Sequence, residues 1–211
     1  MKKLQTDLLA IYLERKDQFD RYAELLIRWN AKINLTAITD HRQIEELHFV
    51  DSLAVAAWLR EENVSRETFR ISDIGAGGGF PGIPIKIVQP EIELALIDAV
   101  KKKCDFMKEV VRSLSLNRIH VIHGRVDGEQ NFGRFDMVVS RAAFKLKDLM
   151  LHARPNLSEK GVLVAMKSID IREELDEALS KMNSLGFASL EQVSYLLPYS
   201  RQERQLVIVR R

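Results

Sequence analysis

The sequence predicts an α/β fold, in which a mainly parallel sheet carries helices on both faces and a helical segment comes first. From Phe69 onward, short apolar runs alternate with stretches of helical periodicity, and a glycine-rich turn follows the first run. Strands that alternate with helices pair in parallel through right-handed crossovers, which gives a doubly wound layer structure. With 211 residues, 46% hydrophobic and 29% charged, the chain is predicted to be globular with one main core.

Residues 1–68 are predicted to form a helical N-terminal extension packed on that core. Apolar side chains recur every three or four residues along one helical face, at Phe19, Tyr22, Leu25, Leu26 and Trp29. An apolar face of this kind must be buried against another surface. We therefore expect the extension to pack on a single compact unit formed by residues 69–211.

Seven strands and four helices are predicted within residues 69–211. The strands are expected at 69–74, 93–98, 118–123, 135–140, 161–167, 189–197 and 203–210, and the helices at 82–88, 101–116, 145–154 and 170–185. Gly186 follows the last helix, where a left-handed cap favours glycine. The short connection through Pro198 predicts that the last two strands form an antiparallel hairpin at the edge of the sheet.

Charge and cysteine content limit the class of protein. A net charge of +2 lacks the overall basicity of a protein that coats nucleic acid, although a local basic patch is compatible with it. The single cysteine, Cys104, excludes an intramolecular disulfide and favours a reducing cytoplasm. Asp7 and Glu14 interrupt the first apolar run before it reaches the length of a signal peptide, and no apolar run is long enough to span a membrane. The five histidines lack metal-ligand spacing, so we expect no metal site.

The glycine-rich turn after the first predicted strand is the strongest candidate site. It runs from Asp73 to Gly82 as DIGAGGGFPG, and Asp98 ends the next strand about twenty residues later. Ligands of open parallel sheets bind at the carboxyl ends of strands, where glycines let the backbone approach them. An acidic residue at the end of the second strand accepts hydrogen bonds from ribose hydroxyls. The pattern predicts a ribose-bearing cofactor, with a tight turn that binds no ligand as the alternative.

The spacing within the turn distinguishes between cofactors. Residues 77–82 formally satisfy the G-x-G-x-x-G pattern of dinucleotide binding, which keeps an NAD-dependent oxidoreductase as an alternative. Counted from the strand end, however, the first glycine is Gly75, and Phe80 occupies the place where that fingerprint needs a small residue. The acid-x-Gly-x-Gly-x-Gly pattern from Asp73 to Gly79 instead resembles the first motif of class I methyltransferases that use S-adenosylmethionine.

A more specific resemblance rests on four segments in order along the chain. These are 29–36 (WNAKINLT), 48–53 (HFVDSL), 73–84 and 140–142 (SRA). Together they resemble the glucose-inhibited division protein B family, also called small-subunit ribosomal RNA methyltransferase G. The resemblance extends from Trp29 to the C-terminal end. It implies a class I methyltransferase sheet and methyl transfer from S-adenosylmethionine to N7 of a guanine in 16S ribosomal RNA.

The family resemblance also implies a set of cofactor-binding residues: Gly75, Gly77, Gly79, Phe80, Asp98, Val126, Asp127 and Arg141. Arg141 could meet a carboxylate or an RNA phosphate, with a structural salt bridge as the alternative. The chain departs from the family pattern at Asp127, where glutamate is more frequent, at Ala76 and Gly78, and at residues 167–168, which leaves the role of the 166–170 loop open. His48 and Asp51 could face the RNA or serve in packing.

No catalytic acid or base is predicted. Guanine N7 carries a lone pair and no proton, so proximity of N7 to the methyl group, at about 3 to 3.5 Å, is the main requirement. The segment 140–143 (SRAA) lacks the Asn- or Asp-Pro-Pro-aromatic tetrad typical of exocyclic amine methylation. Cys104 lies far along the chain from a place where a pyrimidine-activating thiolate would act.

The partners implied by the resemblance are 16S ribosomal RNA or the small ribosomal subunit. We also expect no membrane association and a monomeric protein. We expect RNA contacts from Lys32, Arg42, Arg141, Lys145, Lys147, Arg201 and Arg204. A protein that keeps the pocket but only binds RNA during ribosome assembly is the second alternative to an enzyme.

Overall fold

The fold is known from a computed structural model that describes residues 2–64, 68–127 and 130–211. Within these residues, eight strands form one sheet: β1 (Lys2–Lys3), β2 (Arg70–Ile74), β3 (Glu93–Asp98), β4 (Ile119–His123), β5 (Phe135–Arg141), β6 (Leu157–Ser168), β7 (Ser189–Leu196) and β8 (Glu203–Arg210). The α-helices are α1 (Leu8–Leu13), α2 (Lys16–Ile33), α3 (His41–Ile44), α4 (Asp51–Glu61), α5 (Gly82–Val88), α6 (Lys101–Ser113), α7 (Leu146–Ala153) and α8 (Arg172–Met182).

The sheet has the strand order β1-β7-β8-β6-β5-β2-β3-β4. Strands β2 to β6 pair in parallel, whereas β8 is antiparallel to both β6 and β7. The predicted fold class, a mainly parallel sheet with an antiparallel C-terminal hairpin, is therefore confirmed. The pairing of β1 in parallel with β7 was not predicted, because two residues are too few to form a strand pattern, and β1 rather than the hairpin occupies the outer edge.

Two apolar clusters cover the two faces of the sheet. Helices α1, α2, α4, α5 and α6 contribute side chains to one cluster, and α7 and α8 contribute to the other. The chain runs outward from β2 to β3 and β4 and then returns to β5, on the opposite side of β2. The carboxyl ends of β2 and β5 therefore lie at the point where the strand order reverses, which is where open α/β sheets bind ligands.

The N-terminal helices pack against the first of these clusters. Helix α2 buries Phe19, Tyr22, Leu25 and Leu26, all on the face that the periodicity predicted. Helix α3 continues into α4 through a single π-helical stretch, Glu45–Val50, which the sequence pattern did not predict. Such stretches are rare and frequently occur at functional sites. Residues 1 and 65–67 of the predicted extension lie outside the described residues.

Most element boundaries agree with the sequence expectations to within a few residues. Helix α5 and strand β3 have the predicted bounds. Strand β6 begins at Leu157, four residues before the predicted start, because a register shift between Phe135 and Met137 lets the chain pair earlier with β5. Gly186 has a φ of 73°, as its capping position requires. Among the described residues, no helix combines the length and apolar character needed to cross a membrane.

Candidate active site

The turn after β2 is held against β3 by its backbone. The amides of Gly75 and Ala76 both donate to the carbonyl of Ile97, at 2.9 and 3.1 Å. Gly75 has a φ of 73°, and a Cβ atom at this position would lie 2.6 Å from the Cβ of Ala143. Both the backbone conformation and the close packing therefore require glycine here.

Gly77 joins the turn to Asp98 and faces open space. Its amide donates to Asp98 Oδ2 at 2.8 Å, while Asp98 Oδ1 accepts from the Val100 amide at 2.8 Å. Gly77 has a φ of 59°, and a Cβ there would meet only the Gly75 carbonyl, at 3.9 Å. A carboxylate has about four acceptor positions, so Asp98 can accept further hydrogen bonds from a ligand. The turn and Asp98 thus form one side of a cradle.

Phe80 is fixed in the turn by an aromatic stack. Its ring is stacked with His48 at a centroid distance of 4.7 Å and with Tyr22 at 5.4 Å. The guanidinium carbon of Arg141 lies 5.0 Å from the same ring centroid. Gly79 lies below this stack, where a Cβ would approach the Tyr22 hydroxyl to 2.6 Å. The N-terminal helices therefore shape the turn directly.

Asp73, which begins the glycine motif, is completely buried. Its Oδ2 accepts from the Gly82 amide at 2.8 Å, while Oδ1 has no hydrogen-bond partner among the described residues. Burial raises the pKa of this carboxyl to about 7, against the opposing effect of the Gly82 amide and the Arg141 charge. Through its hydrogen bond with Gly82, the first residue of α5, Asp73 holds the start of that helix beneath the glycine turn.

Arg141 forms a largely buried ion pair with Asp51. Its Nη1 lies 3.2 Å from Asp51 Oδ2 and donates to the Leu47 carbonyl at 2.8 Å. Asp51 Oδ1 accepts from the Tyr195 hydroxyl at 2.8 Å. The salt bridge that the sequence left as an alternative is thus present, although Arg141 also lines the cleft.

His48 links Arg141 to Thr36. Its Nδ1 lies 3.2 Å from Arg141 Nη2, and its Nε2 lies 2.8 Å from Thr36 Oγ1. Since a guanidinium can only donate, Nδ1 must accept, and the ring proton must be on Nε2. Burial, with the nearby Arg141 charge, lowers the pKa of His48 to about 4. The imidazole is therefore neutral near pH 7.

Asn30 holds Thr36 in position for this contact. The Asn30 side chain donates to the Thr36 carbonyl and accepts from the Thr36 amide, both at 2.9 Å. Asn34 ends α2 in the left-handed conformation, with a φ of 49°, and turns the chain back toward His48. The 29–36 and 48–53 segments, which the sequence singled out only by resemblance, are therefore two halves of one hydrogen-bonded unit.

A cleft of about 590 Å³ lies between the glycine turn and this polar unit. Residues 75–78 and Phe80 line one side, and Thr36, His48, Asp51 and Arg141 line the other, with Lys167, Tyr195 and Arg204 nearby. Lys167 is held by an ion pair with Glu174 and by a 2.7 Å hydrogen bond to the Phe144 carbonyl. The volume is within the range of pockets for cofactor-sized ligands, about 300 to 1,000 Å³.

Four of the predicted cofactor-binding residues are not among those that line this cleft: Gly79, Asp98, Val126 and Asp127. Val126 and Asp127 belong to the loop after β4, whose first residue, Gly124, donates from its amide to the Asp98 carbonyl at 3.0 Å. Val126 is partly buried and Asp127 is exposed. Sequence reasoning assigned no role to Thr36 or Tyr195, because a lone hydroxyl in a loop and a tyrosine in a strand carry no spacing signal.

The fold is that of the class I methyltransferases. A methyltransferase from Pyrococcus furiosus aligns with a TM-score of 0.60 at 13% identity, over 93% of this chain and 98% of its own. An O-methyltransferase from Thermotoga maritima, described as dependent on S-adenosylmethionine, aligns with a TM-score of 0.57 at 15% identity, over 88% and 71% of the two chains. At these identities the likeness concerns the fold.

The sequence comparisons define the family. The family model for rRNA small subunit methyltransferase G (GidB) matches residues 15–207. Ribosomal RNA small subunit methyltransferase G of Streptococcus pneumoniae strain R6 is 38% identical over 205 residues, which are 95% of this chain and 85% of that protein. The Streptococcus gordonii protein of the same name is 38% identical over 87% and 78% of the two chains. The chain belongs to this family, which confirms the resemblance seen in its motifs.

Proposed function

We propose that this protein transfers a methyl group from S-adenosylmethionine to N7 of a guanine in 16S ribosomal RNA. The observation that carries the proposal is the cradle at the sheet's switch point, in which Gly77 faces open space and Asp98 keeps acceptor capacity. It occurs in a chain of the rRNA small subunit methyltransferase G family.

The cofactor fits the residues around the cleft. The open side of Gly77 allows a ligand to approach the backbone, and Asp98 offers its carboxylate to ribose hydroxyls. We assign cofactor binding to Gly75, Gly77, Gly79, Phe80, Asp98, Val126, Asp127 and Arg141. When bound, S-adenosylmethionine supplies an electrophilic methyl group on a sulfonium centre.

The protein's own contribution is to bind, orient and exclude water. Guanine N7 presents a lone pair and no proton, so its methylation needs no base from the chain. His48 is neutral near pH 7 and hydrogen-bonded on both ring nitrogens, which makes it a poor acid or base. Placement of N7 about 3 to 3.5 Å from the methyl carbon would account for most of the rate enhancement.

The proposed RNA partner would be bound in part through its phosphates. We assign phosphate contacts to Lys32, Arg42, Arg141, Lys145, Lys147, Arg201 and Arg204, of which Arg141 and Arg204 line the cleft itself. Arg42 lies over the ring of Tyr199, 4.8 Å from its centroid, and so offers a flat cationic surface. We further propose a cytoplasmic monomer that acts on the small subunit, built as an extension of residues 1–68 on a core of residues 69–211.

The proposal is tested with small ribosomal subunits from a strain that lacks the protein. We expect the purified protein to transfer a tritiated methyl group from S-adenosylmethionine to these subunits, with the label mapping to one guanine of 16S ribosomal RNA. An absence of transfer, with RNA binding intact, would favour the non-catalytic assembly factor. Binding of NAD without binding of S-adenosylmethionine in calorimetry would favour the oxidoreductase.

A further inference from the structure

The polar unit beside the cleft has a fixed hydrogen-bond direction. It starts at the Arg141 guanidinium, which can only donate, so His48 Nδ1 accepts and His48 Nε2 donates to Thr36 Oγ1. The ion pair with Asp51 keeps Arg141 in place. The direction of each bond therefore follows from the chemistry of the first donor.

Thr36 is the end of this chain of hydrogen bonds. Its Oγ1 accepts from His48 Nε2 at 2.8 Å and from the Ile38 amide at 3.1 Å. A hydroxyl has two acceptor lone pairs and one donor hydrogen, so both lone pairs are used and the hydrogen remains. Among the described residues, no acceptor for that hydrogen is present in the hydrogen-bond network. Thr36 lines the cleft, where it offers a donor only.

Neighbouring side chains in the cleft have other hydrogen-bond partners. The Tyr195 hydroxyl donates to Asp51 at 2.8 Å, and Lys167 is bound to Glu174 and the Phe144 carbonyl. The Tyr195 hydroxyl hydrogen and two of the three Lys167 ammonium hydrogens are thus engaged. The Thr36 hydroxyl hydrogen is free to donate to a ligand that enters between the glycine turn and the polar unit.

We propose that the Thr36 hydroxyl donates to O6 of the target guanine and thereby selects guanine over adenine. This inference rests on the proposed function. Guanine presents two adjacent acceptors on this edge, N7 and O6, so a base whose N7 faces the methyl donor places O6 beside it. Adenine presents an amino group in place of O6, and that donor would meet the Thr36 donor.

His48 is a positioning residue in this scheme. It acts through Thr36, because its Nε2 proton occupies the Thr36 lone pair that faces it. Without that proton, the Thr36 hydroxyl could turn toward His48 and present an acceptor to the cleft. The stack of His48 on Phe80 couples this orientation to the cofactor turn.

The test compares Thr36→Val, which removes the hydroxyl, with Thr36→Ser as the matched control that keeps it. The substrates are small subunits reconstituted with 16S ribosomal RNA that carries guanine or 2-aminopurine at the methylated position; 2-aminopurine keeps N7 and lacks O6. We expect Thr36→Val to lower kcat/KM on the guanine subunits by about 10- to 100-fold. Its kcat/KM on the 2-aminopurine subunits should equal that of the wild type, and Thr36→Ser should behave as the wild type on both.

Two further readouts separate this inference from the function and from folding. Fluorescence of 2-aminopurine reports binding of the base, and we expect the same affinity for the wild type and Thr36→Val. Thermal unfolding checks that both variants fold. An equal loss of kcat/KM for Thr36→Val on both substrates would overturn the role of Thr36 but leave the proposed function intact. Absence of methyl transfer to guanine subunits by the wild type would overturn the proposed function as well.

Discussion

The two walls of the cleft are built from different parts of the chain and by different chemistry. The backbone wall is the glycine turn, one continuous stretch from residue 75 to 79 that is held by amides that donate to Ile97 and Asp98. The side-chain wall, on the opposite side, consists of side chains from distant positions: Thr36, His48, Asp51, Arg141 and Tyr195. The first wall depends on conformations that only glycine adopts easily, and the second depends on matched charge and hydrogen-bond direction.

The largest effect is expected from breaking the ion pair in the side-chain wall. Arg141→Met would leave the Asp51 carboxylate without its cation, at a site where the two side chains are only 15% and 11% exposed. We expect the free energy of unfolding to fall by about 3 to 5 kcal/mol in urea denaturation at pH 7.

The control for this prediction is the double variant Arg141→Met with Asp51→Asn. Removing both charges should recover a large part of the loss, because no buried carboxylate is then left unpaired. A loss below about 1 kcal/mol for Arg141→Met alone would mean that the pair behaves like an exposed salt bridge. The side-chain wall would then not depend on charge matching.

A pH-dependent effect is expected beneath the backbone wall, at Asp73. Its pKa is raised from 3.8 to about 7 in the folded protein, so the folded state holds a proton that the unfolded chain releases. The stability contributed by this group is therefore full below about pH 4 and is lost as the pH rises to about 7. Asp73→Asn does not titrate and keeps an acceptor for the Gly82 amide. As the pH rises from 4 to 7, we expect the free energy of unfolding of the variant to increase, relative to that of the wild type, by up to about 4 kcal/mol.

His48 provides the internal comparison for that measurement. Its pKa is lowered from 6.5 to about 4, so its contribution to stability is lost as the pH falls from about 6.5 toward 4. This opposite dependence is present in the wild type and in Asp73→Asn, and it cancels in their difference. A difference in unfolding free energy that stays constant from pH 4 to pH 7 would contradict the account of Asp73.

The smallest effect is expected within the backbone wall itself, where two glycines differ in what surrounds them. Gly75→Ala combines a positive φ with an overlap on Ala143 at 2.6 Å, and should cost about 2 to 3 kcal/mol of stability. Gly77→Ala has open space and should cost about 1 kcal/mol. In calorimetry, however, Gly77→Ala should still weaken S-adenosylmethionine binding, since its methyl group occupies the approach of the ligand. Equal stability losses for the two variants would contradict the difference between close packing at Gly75 and open space at Gly77.

The backbone wall could be predicted from the sequence, because each of its signals is local. The glycine spacing after β2 and Asp98 at the end of β3 predicted the place of the cofactor turn, and the alternation of apolar runs with helices predicted a mainly parallel sheet. The side-chain wall could not be derived in this way. Thr36, His48 and Tyr195 are separated by many residues, and tertiary packing brings them together. The family resemblance of segments 29–36 and 48–53 pointed toward Thr36 and His48, whereas nothing in the sequence pointed toward Tyr195.

The central claim is that one cleft holds the methyl donor on the glycine turn and presents its methyl group to the side-chain wall. A crystal structure of the protein with bound S-adenosylmethionine tests this claim most directly. We expect ribose hydroxyls at the Asp98 carboxylate, the ligand in contact with the backbone of Gly77, and the methyl group directed toward Thr36. A ligand bound elsewhere, with Asp98 making only its two contacts to the Gly77 and Val100 amides, would contradict it.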